Sequence, residues 1–395
     1  MIPDLSQPQR VIVTTLQGLE PLLEKEMEAL GVTGITPGHR AVECQADLAG
    51  IYRLNYQLRT GLKVLVPFAK FRAVHPDHLY KAARKLPWMD LFSLDHTFMI
   101  DAAVASDIFT HSQFAALRLK DAICDHFRDR TQARPDVDTH EPNVALHLRI
   151  EGPHVQISLN TSGSSLHKRG YRKSGAQAPL SEVLAAGMLQ ITGWEGEGTL
   201  LDPMCGSGTI AIEAAMMATR MPAGFNRKYF GFETLSFHKR ELWHEVRQAA
   251  LDQVVESDAQ IFARDQNRRT MEVALENAKG IMREIDIDFK TGDFFREAAP
   301  AESGLIVVNP PYGQRIEKDD ILEFYRQIGD TFKQQYQGWT AYVLSANTQA
   351  MKRLGLRTSA KHSLFNGPSP CKFWRYDMYA GTKKVKSTDQ ESGES

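Results

Sequence analysis

The second half of the chain alternates short apolar runs with helical segments, and this pattern constrains the fold more than any other feature of the sequence. From Pro179 onward the predicted strands are brief and continuously apolar, as in Leu305–Val308, and predicted helices lie between them. Such strands are typical of a parallel sheet that is covered on both faces. The sequence therefore predicts a doubly wound, Rossmann-like α/β domain from residue 179 to residue 382.

The first half has a different texture. Predicted strands and helices are mixed, and the pair of strands around Gly152-Pro153 ends near Asn160. This order predicts an α+β region, joined to the α/β domain by a basic linker at residues 163–178. Residues 383–395 are polar and predict a disordered tail.

Composition excludes several classes of protein. The 395 residues are 42% hydrophobic and 24% charged, which is ordinary for a globular chain, and the net charge is -1. No apolar run is long enough to cross a bilayer, and the first ten residues do not resemble a signal peptide. The four cysteines are scattered without a CxxC pair, so we expect no metal site, no disulfide framework and a cytoplasmic location.

A glycine-rich turn joins a predicted strand to a predicted helix at Leu200–Thr209. The run lacks the third glycine of a dinucleotide fingerprint and the lysine of a Walker loop. Its glycines let a ligand approach the backbone, and the acid at the strand end suits a ligand with an ammonium group. The alternative is a plain tight turn. The predicted cofactor-binding residues here are Asp202, Pro203, Cys205, Gly206, Gly208 and Thr209.

Acidic residues also follow the next two predicted strands. Asp265 is placed to accept from ribose hydroxyls, and Asp293 to accept from an adenine amino group while Phe294 packs on the ring. The alternatives are a helix N-cap for Asp265 and a loop aspartate for Asp293. Acids at the ends of successive strands predict a ligand crevice at the carboxyl edge of the sheet.

A fourth strand end carries Asn309, Pro310, Pro311 and Tyr312. The amide oxygen of Asn309 and the carbonyl of Pro310 can accept protons from an exocyclic amino group, and Tyr312 can stack on a planar ring. We predict that these four residues present a base amine to a methyl donor. The alternative for Asn309 is an ordinary turn residue.

The linker contains the strongly basic run Leu166–Lys173. Such a run predicts contacts with phosphates, although a solvated loop is the alternative. The predicted RNA-binding residues are Arg118, Lys120, His167, Lys168, Arg169, Tyr171 and Arg172.

Together these motifs resemble a known family. Asp202–Thr209 with Asn309–Tyr312 is similar to the class I S-adenosylmethionine-dependent amino-methyltransferases, and His167–Arg172 with Ala178–Ala186 narrows the likeness to THUMP-domain RNA methyltransferases. The sequence most resembles the bacterial 23S rRNA guanine-N2 methyltransferases of the large-subunit L type. That family has a lysine at the position of Ser181, so the role of that lysine is not assigned to this chain. The neighbouring Glu182 matches the family.

The resemblance implies a ferredoxin-like segment at residues 1–65, a THUMP RNA-binding domain at 66–162, and a class I methyltransferase domain. It also implies S-adenosylmethionine as cofactor and 23S rRNA or a large-subunit assembly intermediate as partner, with no membrane and no metal. Fused members carry a second methyltransferase domain, and we expect no second activity from this sequence. Under the resemblance Asp202 holds the methionine ammonium, Asp265 the ribose, Asp293 the adenine, and Asn309 with Pro310 the target amine.

Three other functions stay open from the sequence. An N6-adenine DNA methyltransferase shares the motif Asn309–Tyr312, and a catalytically silent protein could grip RNA through the same basic residues. Cys371 could act as a nucleophile, as in pyrimidine C5 methylation, but no base partner stands beside it in the sequence.

Overall fold

The N-terminal half is an α+β unit, as the sequence predicts. The structure is a computed structural model that describes residues 4–173, 180–282, 285–311 and 318–379. The elements of this half are β1 (Gln9–Thr15), α1 (Glu20–Ala29), β2 (Thr33–Gly38), β3 (Ala41–Ala46), α2 (Leu48–Gln57), β4 (Gly61–Arg72), α3 (Pro76–Ala83), β5 (Phe98–Ala105), α4 (Ser112–Thr131), β6 (Val144–Glu151) and β7 (His154–Asn160).

One sheet runs through the whole N-terminal half, in the order β2-β3-β1-β4-β7-β6-β5. The long strand β4 pairs antiparallel with β1 on one side and with β7 on the other. The expected boundary between residues 65 and 66 therefore falls inside a strand. The ferredoxin-like and THUMP segments share β4 and one continuous hydrophobic core.

The C-terminal half alternates helices and strands. Its elements are α5 (Glu182–Thr192), β8 (Thr199–Asp202), α6 (Thr209–Ala218), α7 (Arg240–Leu251), β9 (Gln260–Asp265), α8 (Arg268–Ala278), β10 (Ile287–Thr291), β11 (Leu305–Val308), α9 (Lys318–Gln335), β12 (Thr340–Ser345), α10 (Thr348–Arg353), β13 (Thr358–Asn366) and β14 (Ser369–Asp377).

These strands form a second sheet in the order β10-β9-β8-β11-β12-β14-β13. The first five in this order pair in parallel, and β14 pairs antiparallel with both β12 and β13. Successive residues of β8 face opposite layers, because Leu200 belongs to one hydrophobic cluster and Leu201 to another. A sheet covered on both faces confirms the predicted Rossmann-like α/β domain.

The two halves pack tightly against each other. Leu19, in the loop after β1, lies in the core of the C-terminal half. A Cβ added at Gly187 of α5 would lie 2.7 Å from a methyl group of Leu19, so a larger residue at that position would displace it. In return, the segment before and within α7 packs on α2, with the Trp243 ring 5.3 Å from the Tyr56 ring. The second sheet is thus supported by the N-terminal unit.

None of the described helices is both long and apolar enough to cross a membrane. In the same ranges, no group of three or more His, Cys, Asp or Glu side chains is arranged to hold a metal ion.

Candidate active site

The glycine-rich turn between β8 and α6 has two glycines with different roles. Gly206 has φ +54 and Gly208 has φ +83, a region that side chains rarely adopt. A Cβ at Gly208 would lie 3.1 Å from Ala274 of α8, whereas a Cβ at Gly206 would meet no atom within 4 Å. Gly208 is therefore required for packing, and Gly206 borders open space in which a ligand can approach the backbone.

Asp202 ends β8, and its side chain is buried, with 1% exposure. Neither carboxyl oxygen has a hydrogen-bond partner of good geometry within the described chain, although the Met204 amide faces the group. Burial raises the pKa of Asp202 well above its ordinary value, and the nearby Asp265 carboxylate adds to the rise. A buried carboxyl group without a partner is costly, so this position suits the cationic group of a ligand.

Asp265 ends β9 and ties two loops together. Its Oδ2 accepts from the Gly206 amide at 3.0 Å, and its Oδ1 accepts from the Asn267 amide at 2.9 Å. The N-cap of α8 is Asn267, whose side chain accepts from the Thr270 amide, so the alternative assignment of Asp265 as the helix cap is wrong. Asp265 keeps lone pairs for a ligand hydroxyl, because a carboxylate can accept about four hydrogen bonds.

Asp293 and Phe294 lie just after β10. The Oδ1 of Asp293 accepts from the Phe295 amide at 3.0 Å, and Asp293 pairs with Arg296 at 3.3 Å. The Phe294 ring is 5% exposed and packs against Phe332 and Tyr336, with ring centroids 5.8 and 5.5 Å away. The sequence assigned this ring to an adenine, but most of its surface is taken up by the core.

The part of the Phe294 ring that is not covered borders a cavity of about 330 Å³. Pro203 of the glycine turn lines the same cavity, beside Leu201 and Arg264. Cys205 of the turn is buried, and burial raises the pKa of its thiol well above the ordinary value. Its amide donates to the Arg264 carbonyl at 2.9 Å, which joins the turn to β9.

Asn309 and Pro310 follow β11 directly. The Oδ1 of Asn309 is buried and has no hydrogen-bond partner in the described chain. Pro310 is buried and Pro311 half-buried, which fixes the chain as it leaves the strand. Tyr312, the fourth residue assigned to this motif, lies outside the described residues.

Asp202 and Asn309 leave the sheet at the same edge. Their strands β8 and β11 are parallel neighbours, with Leu305 opposite Leu200 and Ile306 opposite Leu201. Both residues carry buried acceptor oxygens without a partner, and such groups are rare in folded proteins. The pair can therefore accept hydrogen bonds from two positively polarised groups held side by side in the crevice.

The linker residues Arg169 and Tyr171 are not on the surface, which corrects their assignment to RNA contact. Arg169 is 2% exposed and pairs with the fully buried Glu213 of α6, with Nε 3.3 Å from Oε1. The Tyr171 hydroxyl donates to the same carboxylate at 3.1 Å. Burial, followed by the Glu213 charge, raises the pKa of Tyr171 well above its ordinary value, so the hydroxyl stays a donor.

Arg172 is directed at the glycine turn and holds it. Its Nη1 donates to Ser207 Oγ at 3.0 Å and its Nη2 to Thr209 Oγ1 at 3.0 Å. Its Nε donates to Glu182 of α5 at 2.9 Å. Because these partners occupy both ends of the guanidinium, its predicted role in RNA contact is corrected to positioning of the turn. Thr209, assigned to the cofactor, serves here as an acceptor for Arg172.

His167 and Lys168 differ in exposure. His167 is half-buried, and burial together with the charges of Lys168 and Arg169 lowers its pKa to about 4. It is therefore uncharged at neutral pH and does not attract phosphate as a cation. Lys168 is exposed, so this predicted RNA-binding residue of the run remains available to contact RNA.

Arg118 and Lys120 lie on α4, and both are partly exposed. Arg118 pairs with Asp77 at 2.7 Å and lies over the Tyr80 ring at 4.9 Å. Lys120 pairs with Asp121 at 2.8 Å. Their contact with RNA stays a prediction, since exposed pairs of this kind are weak enough to exchange partners.

Two residues that hold the site were missed by the sequence reasoning. Glu213 receives both Arg169 and Tyr171. Asn277 of α8 is buried, donates to the Ser207 carbonyl at 3.1 Å and accepts from the Lys173 amide at 2.9 Å. A polar residue on the otherwise apolar side of a helix is the available signal, because such a residue needs a partner when it is buried.

Cys371 is buried at 2% exposure, and its thiol faces the Ser369 carbonyl at 3.6 Å. It belongs to the hydrophobic cluster around α5 and α6. The thiol is thus enclosed by the core, which does not suit a nucleophile that must reach a substrate.

Comparison with known proteins gives three family matches in chain order. Residues 10–65 match the RlmL ferredoxin-like domain, residues 75–160 the THUMP domain, and residues 169–374 the RMKL-like methyltransferase domain. The last match covers just over half of the chain.

Two curated relatives align over nearly the whole chain. The Synechocystis protein slr0064, whose name carries a provisional assignment as an RNA methyltransferase, is 37% identical over 93% of this chain and 96% of its own length. The ribosomal RNA large subunit methyltransferase K/L of Syntrophotalea carbinolica is 35% identical over 95% of this chain and 54% of its own length. The chain thus spans about half the length of the K/L relatives it matches.

Solved structures agree with the family matches. The crystal structure of SMU.472, described provisionally as a methyltransferase and complexed with SAH, superposes with a TM-score of 0.83 at 25% identity. The superposition covers 95% of this chain and 100% of the SMU.472 chain. Both the THUMP and ferredoxin-like matches and the class I methyltransferase fold agree with the expectations from the motifs. The chain belongs to the RMKL-like methyltransferase family.

Proposed function

We propose that this chain transfers the methyl group of S-adenosylmethionine to an exocyclic amino group of an RNA base, with guanine N2 in 23S rRNA as the expected target. The observation that carries the proposal is the pair of buried, unpartnered acceptors, Asp202 and Asn309, at the carboxyl ends of adjacent strands. One suits the donor's ammonium group and the other suits the amine that receives the methyl group.

The residues present fit the donor. Asp202 offers a buried carboxylate for the ammonium, and the open space beside Gly206 leaves room for the methionine chain. Asp265 has lone pairs for the ribose hydroxyls, and Asp293 can accept from the adenine amino group. When bound, S-adenosylmethionine supplies an electrophilic methyl group on a sulfonium.

Asn309 and Pro310 act on the acceptor. The Asn309 Oδ1 and the Pro310 carbonyl accept the two N–H groups of the target amine, so the nitrogen lone pair faces the donor. Held in this way, the nitrogen would take up the methyl group that bound S-adenosylmethionine supplies, and it would then lose one proton to solvent. Positioning accounts for most of the rate, because two reactants held in line gain a high effective concentration.

An RNA base fits this arrangement better than an isolated small molecule. The family match places a THUMP domain in the same chain, and Lys168 stands exposed between the two halves. A base inside a helix cannot reach a crevice at the sheet edge, so the target must be flipped out or lie in a loop. Guanine and 23S rRNA are proposed from the family resemblance, and the K/L relatives, named as ribosomal RNA large subunit methyltransferases, support a large-subunit ribosomal RNA.

Two measurements test the proposal. Calorimetry is expected to show S-adenosylmethionine binding to the purified chain, and absence of binding at millimolar ligand would refute an enzyme. Labelled-methyl transfer is then compared on 23S rRNA from a strain lacking this protein, on 23S rRNA from its parent, and on duplex DNA. We expect label only in the first, recovered as N2-methylguanosine by nucleoside mass spectrometry. Label on DNA alone would assign the chain as a DNA methyltransferase.

A further inference from the structure

The β13 margin of the catalytic sheet carries an unbalanced positive charge. Between Asp330 and Asp377 the sequence contains no aspartate or glutamate. The same stretch contains seven lysines and arginines, namely Lys333, Lys352, Arg353, Arg357, Lys361, Lys372 and Arg375. The chain as a whole is balanced, with 47 basic and 48 acidic residues, so this stretch is a local departure.

Five of these cations have no carboxylate partner in the described chain. Lys333 pairs with Asp330 at one end of the stretch, and Arg375 pairs with Asp377 at the other. The remaining five are exposed or half-buried and form no ion pair with a described residue: Lys352, Arg353, Arg357, Lys361 and Lys372. We call these five residues the basic margin.

The sheet register places part of the basic margin beside the reaction crevice. Val308 of β11, the residue before Asn309, pairs with Val343 of β12. Val343 in turn pairs with Trp374 of β14, and Trp374 pairs with Lys361 of β13. Three strand spacings of about 4.8 Å put Lys361 roughly 14 Å from β11. Lys372 lies two residues nearer the carboxyl edge, opposite Ser345. The rest of the margin continues toward the opposite edge along α10 and the start of β13.

The two cations nearest the crevice are held in position. The Lys361 ammonium lies 4.3 Å from the centre of the Trp374 ring, and Lys372 donates to Ser363 Oγ on the neighbouring strand. Held cations of this kind lose little entropy when they contact an anion. A merely solvated surface usually mixes both signs of charge, whereas a surface that meets phosphates gains from excluding carboxylates.

We propose that the basic margin contacts the phosphate backbone of the RNA next to the target base, in addition to the contacts of the N-terminal half. The inference rests on the proposed function, because it takes RNA as the substrate. The contact is independent of base identity and holds the strand while Asn309 engages the target amine. It requires a polyanion, which a nucleic-acid backbone supplies and a neutral ligand does not.

The test measures binding of a fluorescent 23S rRNA stem-loop by anisotropy from 50 to 200 mM salt. The variant Lys361→Gln/Lys372→Gln is compared with Lys25→Gln/Lys239→Gln, which removes two exposed lysines that form no ion pair in the described chain. Loss of two phosphate contacts weakens binding by roughly tenfold at 100 mM salt and lowers the slope of log Kd against log salt by about 1.5. The control is expected to match the wild type within about twofold.

A second pair on α10, Lys352→Gln/Arg353→Gln, lies away from Trp374 and is expected to shift affinity and slope in the same direction. Equal affinity and slope for both test variants and the control would overturn the inference while leaving RNA as the substrate. Failure of the wild-type chain to bind the stem-loop would instead overturn the RNA substrate, and the inference with it. Calorimetry with S-adenosylmethionine is expected to give the same affinity for all variants.

Discussion

Arg169 and Glu213 form an ion pair that is almost fully removed from water, with side-chain exposures of 2% and 0%. Arg169 belongs to the linker, and Glu213 lies on α6, the helix that follows the glycine turn. The same guanidinium donates to the Leu166 carbonyl at 3.0 Å and to the Arg59 carbonyl beyond α2 at 2.5 Å. One buried side chain therefore connects the N-terminal unit, the linker and the helix that follows the glycine turn.

Removing one partner of this pair is expected to destabilise the whole chain. Glu213→Leu leaves the Arg169 charge buried without a partner, which costs about 3–5 kcal/mol of unfolding free energy. Arg169→Met/Glu213→Leu should recover part of that loss, because no unpaired charge remains. Denaturant unfolding measures both. As a control, Glu151→Ala breaks the exposed pair with Arg149 and should cost less than about 1 kcal/mol. A loss of stability for Glu213→Leu no larger than that for Glu151→Ala would contradict a structural role for the buried pair.

Arg172 holds the glycine turn through hydrogen bonds on both sides of its guanidinium. Arg172→Lys keeps the charge but cannot reach Ser207, Thr209 and Glu182 together, so the turn loosens. We expect S-adenosylmethionine to bind roughly tenfold more weakly, the equivalent of about 1.4 kcal/mol. Lys173→Gln is the matched control, since the Lys173 side chain points away to Glu276. Calorimetric affinities that are equal for the two variants would exclude the positioning role.

Alanine substitutions at the two glycines of the turn should have different effects, one on donor binding and the other on stability. Gly206→Ala places a methyl group where no atom lies within 4 Å, so donor affinity should fall with a stability loss of only about 1–2 kcal/mol from the positive φ. Gly208→Ala meets Ala274 at 3.1 Å and should mainly lower the Tm. Calorimetry and thermal unfolding on the same two proteins test this contrast. If the two variants lost the same donor affinity and the same Tm, the result would argue against a ligand beside Gly206.

Asp202 links donor binding to pH. Its pKa in the folded, donor-free chain lies above the unfolded value of about 4, so the folded state binds the additional proton. The resulting stability is complete below about pH 4 and is lost as pH rises through the folded-state pKa. Asp202→Asn removes this loss and should stabilise the donor-free protein at neutral pH by about 1–3 kcal/mol, while donor affinity falls by roughly 100-fold.

Unfolding and calorimetry between pH 4 and pH 8 check this prediction, with the exposed Asp258→Asn as control. Below the raised pKa, the wild type must release a proton to bind the ammonium, so its donor affinity should rise with pH. A pH profile of stability that is identical for Asp202→Asn and the control would show that Asp202 is not the buried group responsible.

The sequence located most of the fold and the strand ends, because apolar runs and cap residues act locally. Asp47, for example, caps α2, with its side chain accepting from the Gly50 amide at 2.7 Å. The strands β2 and β13 lack such a local signal, since Thr33–Gly38 is exposed and rich in glycine and proline, and Thr358–Asn366 is a mostly polar edge strand. Such segments become strands because they pair with a neighbouring strand, and their own residue pattern does not reveal that pairing.

The basic linker shows the limit of local reasoning about a site. Its lysines and arginines predict a surface patch, yet Arg169 and Arg172 face acids that lie 44 and 10 residues away along the chain. Nothing in the linker itself reveals Glu213. In contrast, Asp202 and Asn309 lie at strand ends as predicted, because the carboxyl edge of a parallel sheet collects such residues whatever the rest of the chain does. The sheet order adds that their strands are neighbours.

The central claim is that Asn309 holds the amine that receives the methyl group. The direct test is single-turnover methyl transfer by Asn309→Ala on 23S rRNA from a strain lacking this protein, with donor affinity measured by calorimetry on the same preparation. We expect transfer to slow by at least about 100-fold, as for loss of a group that orients and polarises the acceptor, with donor affinity within about twofold of the wild type. Transfer at the wild-type rate would contradict the assignment.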